Sequence, residues 1–290
     1  MTTIMVATDF SERSDRALRR ATLLARQVGA KLELVHVVDD DKPPRLIESE
    51  RRIAETLLRE TAGSIQDVEQ LDCDTHVLTA PPFAGIIQAV ETFAPDLLVI
   101  GPHRRSILRD AFRGTTAERT IRSISCPTLM ANATPAGRYQ HIMLTTDLSQ
   151  AAGKAVKRYL DLGIGDQARH SILHVYDAPA LRLGMSHSLP KDEKEHYLEE
   201  ASEAAEQDLA TFLATIGRGG MKQLVRFLET SVANEILLAS REAGADLIMV
   251  ANHGKSGTEK FFLGSVTEQV LKISNLDVIT MPVSNNAYKN

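Results

Sequence analysis

The chain alternates short, nearly continuous apolar runs with longer stretches in which apolar residues recur every three or four positions. In the first half, Ile4–Ala7, Leu32–Val38, Thr75–Leu78, Leu97–Ile100 and Thr128–Met130 are runs of the first kind and predict buried strands. Between them, Ser14–Val28, Glu48–Ile65, Ala84–Phe93 and Ala111–Ile124 carry the helical period. Strands without polar alternation belong to a parallel sheet covered on both faces, and strand–helix alternation closes such a sheet by right-handed crossovers. Ligands of doubly wound sheets sit beyond the carboxyl ends of the strands, where the strand order reverses. The loops after Ala7, Val38 and Ile100 therefore form the mouth of any site.

The pattern then repeats. IMVATDFS (Ile4 to Ser11) returns as IMLTTDLS (Ile142 to Ser149), and LVHVVD ending at Asp39 returns as ILHVYD ending at Asp177. Further on, PDLLVIGPHR from Pro95 matches ADLIMVANHG from Ala245, and GTTAERTIR from Gly114 matches GSVTEQVLK from Gly264. The offset is 138 at the aspartates (147 − 9) and 150 at the glycines (264 − 114), so the second copy carries extra residues, placed between Ala178 and Tyr197. A period this long is domain duplication rather than a solenoid repeat. The predicted architecture is α/β: two doubly wound, mostly parallel five-stranded sheets, Rossmann-like, over residues 1–135 and 136–290. The link ANATPAGRYQ (Ala131 to Gln140) is short enough to hold the copies against each other. Pairing of Cys126–Met130 with Val278–Met281 would make one chain a pseudo-dimer, and a homodimer of whole chains is compatible with that.

Composition narrows the partners. Of 290 residues, 43% are hydrophobic and 24% charged, a globular mixture, and the formal net charge of −5 speaks against general binding to nucleic acid or anionic membrane. No apolar run reaches the ~20 residues of a membrane span. The start, MTTIMVATDF, shows no basic-then-apolar leader, and the two cysteines, Cys73 and Cys126, have no metal-ligand spacing. A cytoplasmic location is the expectation.

The second copy reads Ala251-Asn-His-Gly254, nine residues, then Gly264-Ser265; the first reads Gly101-Pro-His-Arg104, nine residues, then Gly114-Thr115. Together with an aspartate after the first strand and a His-Val pair in the second, at matching places in both copies, these residues resemble the universal stress protein family. Glycines let a backbone approach phosphate oxygens, and the Gly-Ser or Gly-Thr step opens a helix whose free N–H groups and dipole favour anions. The resemblance covers essentially the whole chain. It implies an adenine nucleotide, ATP or AMP with or without Mg, as ligand, an adenosine contact from Asp147, packing of Val175 on the base, and phosphate contacts from Gly254, Gly264 and Ser265 with His253 beside them. The corresponding weaker set is Asp9, Val37, Gly101, His103, Gly114 and Thr115.

Each copy departs from the motif once. Ala251 replaces a glycine, costing ~1–2 kcal/mol if the position needs φ > 0 and almost nothing otherwise. Arg104 replaces the second glycine of the first copy, within a basic loop that includes Arg105, Arg109 and Arg113. Those guanidiniums either hold phosphate by side chains or form a solvated face. The balance points to the second copy as the chief nucleotide site.

Plainer roles stand beside these. Asp9 and Asp147 precede serines at helix starts and suit loop or capping positions. His36 and His174 lie in apolar strands as satisfied histidines, Val37 and Val175 fit the core, and Gly264-Ser265 suits a helix start. No Walker-type loop, His-Glu-x-x-His or Gly-x-Ser-x-Gly occurs, so a catalyst is not expected beyond slow incidental ATP hydrolysis. The acidic run from Lys191 to Asp208 reads as a solvated helix face. The leading reading is a stress-response regulator whose nucleotide tunes contact with a protein partner. Two others stay open: an interaction module with degenerate sites, and a binder of another small ligand, in the first copy or near Leu181–Pro190.

Overall fold

A computed structural model of the protein describes residues 1–102, 115–178, 191–217, 220–252 and 263–283. The first copy runs β1 (Thr3–Ala7), α1 (Glu12–Val28), β2 (Lys31–Val38), α2 (Pro44–Glu69), β3 (Cys73–Thr79), α3 (Pro82–Phe93), β4 (Leu97–Ile100), α4 (Thr116–Ser123), β5 (Thr128–Met130). The second runs β6 (His141–Thr146), α5 (Gln150–Asp161), β7 (Arg169–Tyr176), α6 (Lys191–Ile216), β8 (Lys222–Phe227), α7 (Val232–Ala243), β9 (Leu247–Asn252), α8 (Ser265–Ile273), β10 (Asp277–Pro282). All five predicted strands and all four predicted helices of the first copy are present. The last helix runs from Thr116, with Thr115 in an extended backbone capping the Glu118 amide at 3.1 Å; residues 111–114 of the predicted helix lie outside the described residues. Nine of the twelve extra residues of the second copy fall between Tyr176 and Lys191, where 179–190 lie outside the described residues, and the other three fall between Ile216 and Val232.

Within each copy the strands are parallel, in the order β3-β2-β1-β4-β5 and its counterpart β8-β7-β6-β9-β10. Strand order reverses between β1 and β4, which pair from Ile4–Leu97 to Ala7–Ile100. The two sheets are one: β5 and β10 pair antiparallel, Leu129 opposite Ile279, producing a continuous ten-stranded sheet. The expected strand pairing within the chain is therefore present. Apolar strand residues fill two layers, one on each face of this sheet, with Ile4, Leu97 and Ile279 in one and Met5, Leu98 and Val278 in the other. Each layer runs through both copies, so the duplicated halves share their cores.

Helix ends follow the sequence. Ser11, Ser149 and Ser231 cap α1, α5 and α7 by accepting the amides of Ser14, Ala152 and Asn234. Gly29 and Gly244 close α1 and α7 in the left-handed conformation. Asp96 and Asp246, matched in the repeat, each tie a strand start to its neighbour. Asp96 accepts the Thr2 amide at 2.6 Å, and Asp246 accepts the Gln140 amide at 2.7 Å.

Candidate functional site: the cavity at the strand switch point

The site is built on a turn that the sequence encodes twice. After β1, Thr8 Oγ1 accepts the Phe10 amide at 3.0 Å, and Asp9 Oδ1 accepts the Ser11 amide at 3.1 Å. After β6, Thr146 Oγ1 accepts the Leu148 amide at 2.9 Å, and Asp147 Oδ1 accepts the Ser149 amide at 3.0 Å. These bonds hold Phe10 and Leu148 at φ of 57° and 62°, a left-handed backbone that a large side chain rarely adopts. The neighbouring strand adds a third tie. His36 Nδ1 lies 2.8 Å from the Thr8 carbonyl, and His174 Nδ1 lies 3.1 Å from that of Thr146. Both histidines are thus satisfied, part-buried groups. The helix cap belongs to Ser11 and Ser149, not to the aspartates, which stabilise the turn before it.

Asp9 keeps one carboxylate oxygen toward the outside, 3.8 Å from the Arg13 guanidinium, with 64% of its side chain exposed. Burial alone would raise its pKa, but hydrogen bonds from the Ser11 hydroxyl and amide, with Ser14 and Arg13 close by, hold it below the ordinary 3.8. It is a carboxylate at neutral pH, suited to accept hydroxyl hydrogen bonds.

Around this turn lies a cavity of about 440 Å³. Its apolar wall is made by Val35, Val37, Ile86 and Ile100, and its polar rim by Asp9, Arg13, Thr115 and Thr116. Of the weaker predicted set, Asp9, Val37, Gly101 and Thr115 come together here. His103 and Gly114 lie outside the described residues, as do Arg104 and its neighbours.

Two glycines shape the cavity by what they lack. A Cβ on Gly101 would stand 2.6 Å from the Arg13 carbonyl oxygen, so glycine lets the end of β4 lie against the first turn of α1. A Cβ on Gly85 would stand 2.5 Å from Val37, so glycine lets α3 close on that wall. Gly101 does not have positive φ, and neither does Ala251. Close approach, rather than a left-handed backbone, explains this glycine, so the conditional strain at Ala251 does not arise.

In the second copy Asp147 follows β6, Val175 lies near the end of β7, and Gly264 precedes α8. Gly264 is the capping residue itself and offers no side-chain cap, leaving Ser265 as the first helical residue. Thr267 Oγ1 donates to the Ala251 carbonyl at 3.1 Å and ties α8 to β9. His253 and Gly254 lie outside the described residues. At the α7 position that repeats Gly85 stands Glu235, 1% exposed, whose carboxylate accepts from Thr230 and from Arg226 Nε at 2.8 Å. The wall beside Val175 is therefore built differently from the wall beside Val37.

Sequence reasoning did not single out Arg13, Ile86 or Thr120, all of which line the cavity. The available signal for Thr120 was a hydroxyl on the apolar face of α4, where the second copy has Val270. Among the described residues no group of three or more His, Cys, Asp or Glu side chains is placed to hold a metal. Nor is any described helix long and apolar enough to cross a membrane.

A doubly wound sheet repeated in tandem, with a cavity at the switch point bordered by a helix start, is the frame of a small-ligand-binding α/β protein. The model of the universal stress protein family matches residues 1–132 and again 138–282, and the chain belongs to that family. A universal stress protein of Methanocaldococcus jannaschii is 29% identical over 150 residues, covering 49% of this chain and 82% of its own length. The crystal structure of a universal stress protein from Archaeoglobus fulgidus superimposes with a TM-score of 0.73 at 19% identity, covering 97% of this chain and 98% of that one. A universal stress protein solved in complex with cAMP matches 44% of this chain and 95% of its own, with a TM-score of 0.38 and 21% identity.

Proposed function

We propose that the chain is a regulatory binder of an adenine nucleotide, ATP or AMP with or without Mg, rather than a catalyst. The observation that carries this reading is the cavity in the first copy, where an apolar slot and a helix start meet one carboxylate-bearing turn. The slot of Val35, Val37 and Ile86 suits the flat faces of a base. Asp9 suits ribose hydroxyls, and the start of α4 beside Arg13 suits an anion. The fit is supported by volume as well, since ligand cavities run from about 300 to 1,000 Å³.

The second copy keeps the same turn at Asp147, with Val175 beside it and an uncapped helix start at Gly264 and Ser265. By sequence the second copy keeps the phosphate motif better, with Gly254, Gly264 and Ser265, while the described cavity lies in the first copy. Among the described residues nothing on the cavity rim is arranged to activate water, in keeping with ATP hydrolysis that is slow and incidental. The nucleotide would act by favouring the conformation it orders and so tuning contact with a protein partner.

Isothermal titration of the whole chain with ATP and with AMP, plus release of nucleotide on denaturing freshly purified protein, tests this. Saturable binding in either assay is expected. Absence of binding in titration, of released nucleotide and of any thermal shift would overturn it.

A further inference from the structure

Thr120 lines the first cavity, and its buried hydroxyl is left without a hydrogen bond. The residue is 0% exposed, and its Oγ1 finds no partner among the described residues. A threonine inside a helix usually donates to the carbonyl one turn back, as Thr22, Thr56 and Thr61 do in this chain. Thr120 does not. A buried hydroxyl without a partner is costly, and such groups in native proteins call for an explanation. Replacement by valine, nearly the same shape, removes that cost, and Val270 is what the second copy carries at this position.

We propose that the Thr120 hydroxyl is a specificity-determining contact of the first cavity, completed by a polar edge atom of the ligand's base. The proposal rests on the nucleotide reading and adds to it a difference between the copies. The part of a nucleotide that enters an apolar slot is its base, whose faces are apolar and whose edges carry hydrogen-bonding nitrogens and exocyclic groups. Thr120 lines the cavity together with Ala117 and Ile100, and its hydroxyl would serve as donor or acceptor there. In the second copy Val270 offers no such group, so a base bound there would find no hydroxyl at this position. Sites that hydrogen-bond a ligand group discriminate far more sharply than apolar ones, because the analogue leaves the buried group unpaired.

The test uses the full chain, with AMP, IMP and purine riboside monophosphate as probes, titrated against wild type, Thr120→Val, Thr120→Ser and Val270→Thr. Thr120→Val is expected to weaken AMP at the first site by about 10-fold, the equivalent of one hydrogen bond, and to flatten discrimination among the three probes. Thr120→Ser restores both. Without ligand, Thr120→Val should melt higher than wild type, opposite in sign to its effect on binding. A purely packing role would move both in the same direction. If wild type binds AMP while Thr120→Val leaves affinity and discrimination unchanged, this inference fails and the nucleotide reading stands. If wild type binds none of the three, both fall.

Discussion

Arg20 and Asp277, from opposite copies of the repeat, meet in the interior with Nε 2.9 Å from Oδ2 and side chains 6% and 0% exposed. Tyr139, from the link between copies, donates its hydroxyl to the same carboxylate at 2.6 Å, and its ring lies 4.2 Å beneath the Arg20 guanidinium. The Ala133 amide supplies a further bond to Asp277 at 2.8 Å, and Arg20 Nη1 donates to the Gly137 carbonyl at 2.7 Å. The repeat places Arg158 where the first copy has Arg20, but among the described residues Arg158 donates to the carbonyls of Ser125 and Pro282 and to no carboxylate. Among the described residues this buried pair is therefore present on one side of the pseudo-dyad, beside a second ion pair between the halves, Arg122 with Glu268 at 2.9 Å.

Removing one partner of a buried pair strands the other charge. Asp277→Ala should cost about 3–5 kcal/mol in urea unfolding. An unchanged midpoint would mean that Arg20 finds solvent, contrary to its burial.

The carboxylates that tie strand starts predict an acid limb. At Asp96 burial raises the pKa, but bonds from the Thr2 amide and hydroxyl and the Thr3 amide outweigh it and hold the group below 3.8. A depressed carboxyl stabilises the fold above its unfolded value, and that contribution is lost as pH falls through the folded one. Asp277 runs the other way: burial outweighs Arg20 and Tyr139 and raises it, so its contribution is fullest below 3.8 and is lost as pH climbs. Asp96→Asn should therefore destabilise at pH 7 and converge on wild type as pH falls well below 4, followed by denaturant melts across the series.

Both thiols should be silent in the folded protein. Cys73 and Cys126 are buried, and desolvation pushes each up to about 12. Ellman's reagent at pH 8 should titrate neither until the chain is unfolded, when two react. Prompt native reaction would show that the core opens at these strands.

The glycine at the end of β4 and its repeat partner should respond oppositely to the motif's naive expectation. Gly101→Ala puts a methyl against the α1 backbone and should cost about 1–3 kcal/mol while weakening ligand binding to the first copy. Ala251→Gly relieves no strain, since Ala251 has no positive φ, and should cost roughly 0.5–1 kcal/mol through backbone entropy without improving affinity. Calorimetric melting with and without AMP separates these outcomes.

Much of this was legible in the residues. Period alone located β1, β2, β4 and β5, because parallel strands buried on both faces leave an uninterrupted apolar trace. The repeat registered Asp9 with Asp147 and His36 with His174, and the coordinates give each pair the same bond. What escaped depends on long-range geometry. Asp277 looks like an ordinary strand-start aspartate, and only the β5–β10 junction brings Arg20 to it. Thr120 looks like a routine helix threonine until the cavity floor is assembled around it. Whether Gly101 serves conformation or close packing is a question of what lies 2.6 Å away, which no spacing encodes.

The Leu129–Ile279 junction has an evolutionary corollary. A symmetric dimer made from one gene must accept every substitution on both sides at once. Here the two sides are separate stretches of a single polypeptide, so each is free to drift alone. Arg20 can acquire an acidic partner that Arg158 lacks among the described residues, and Thr120 can keep a hydroxyl where its counterpart Val270 has a methyl, with both halves carried on one chain.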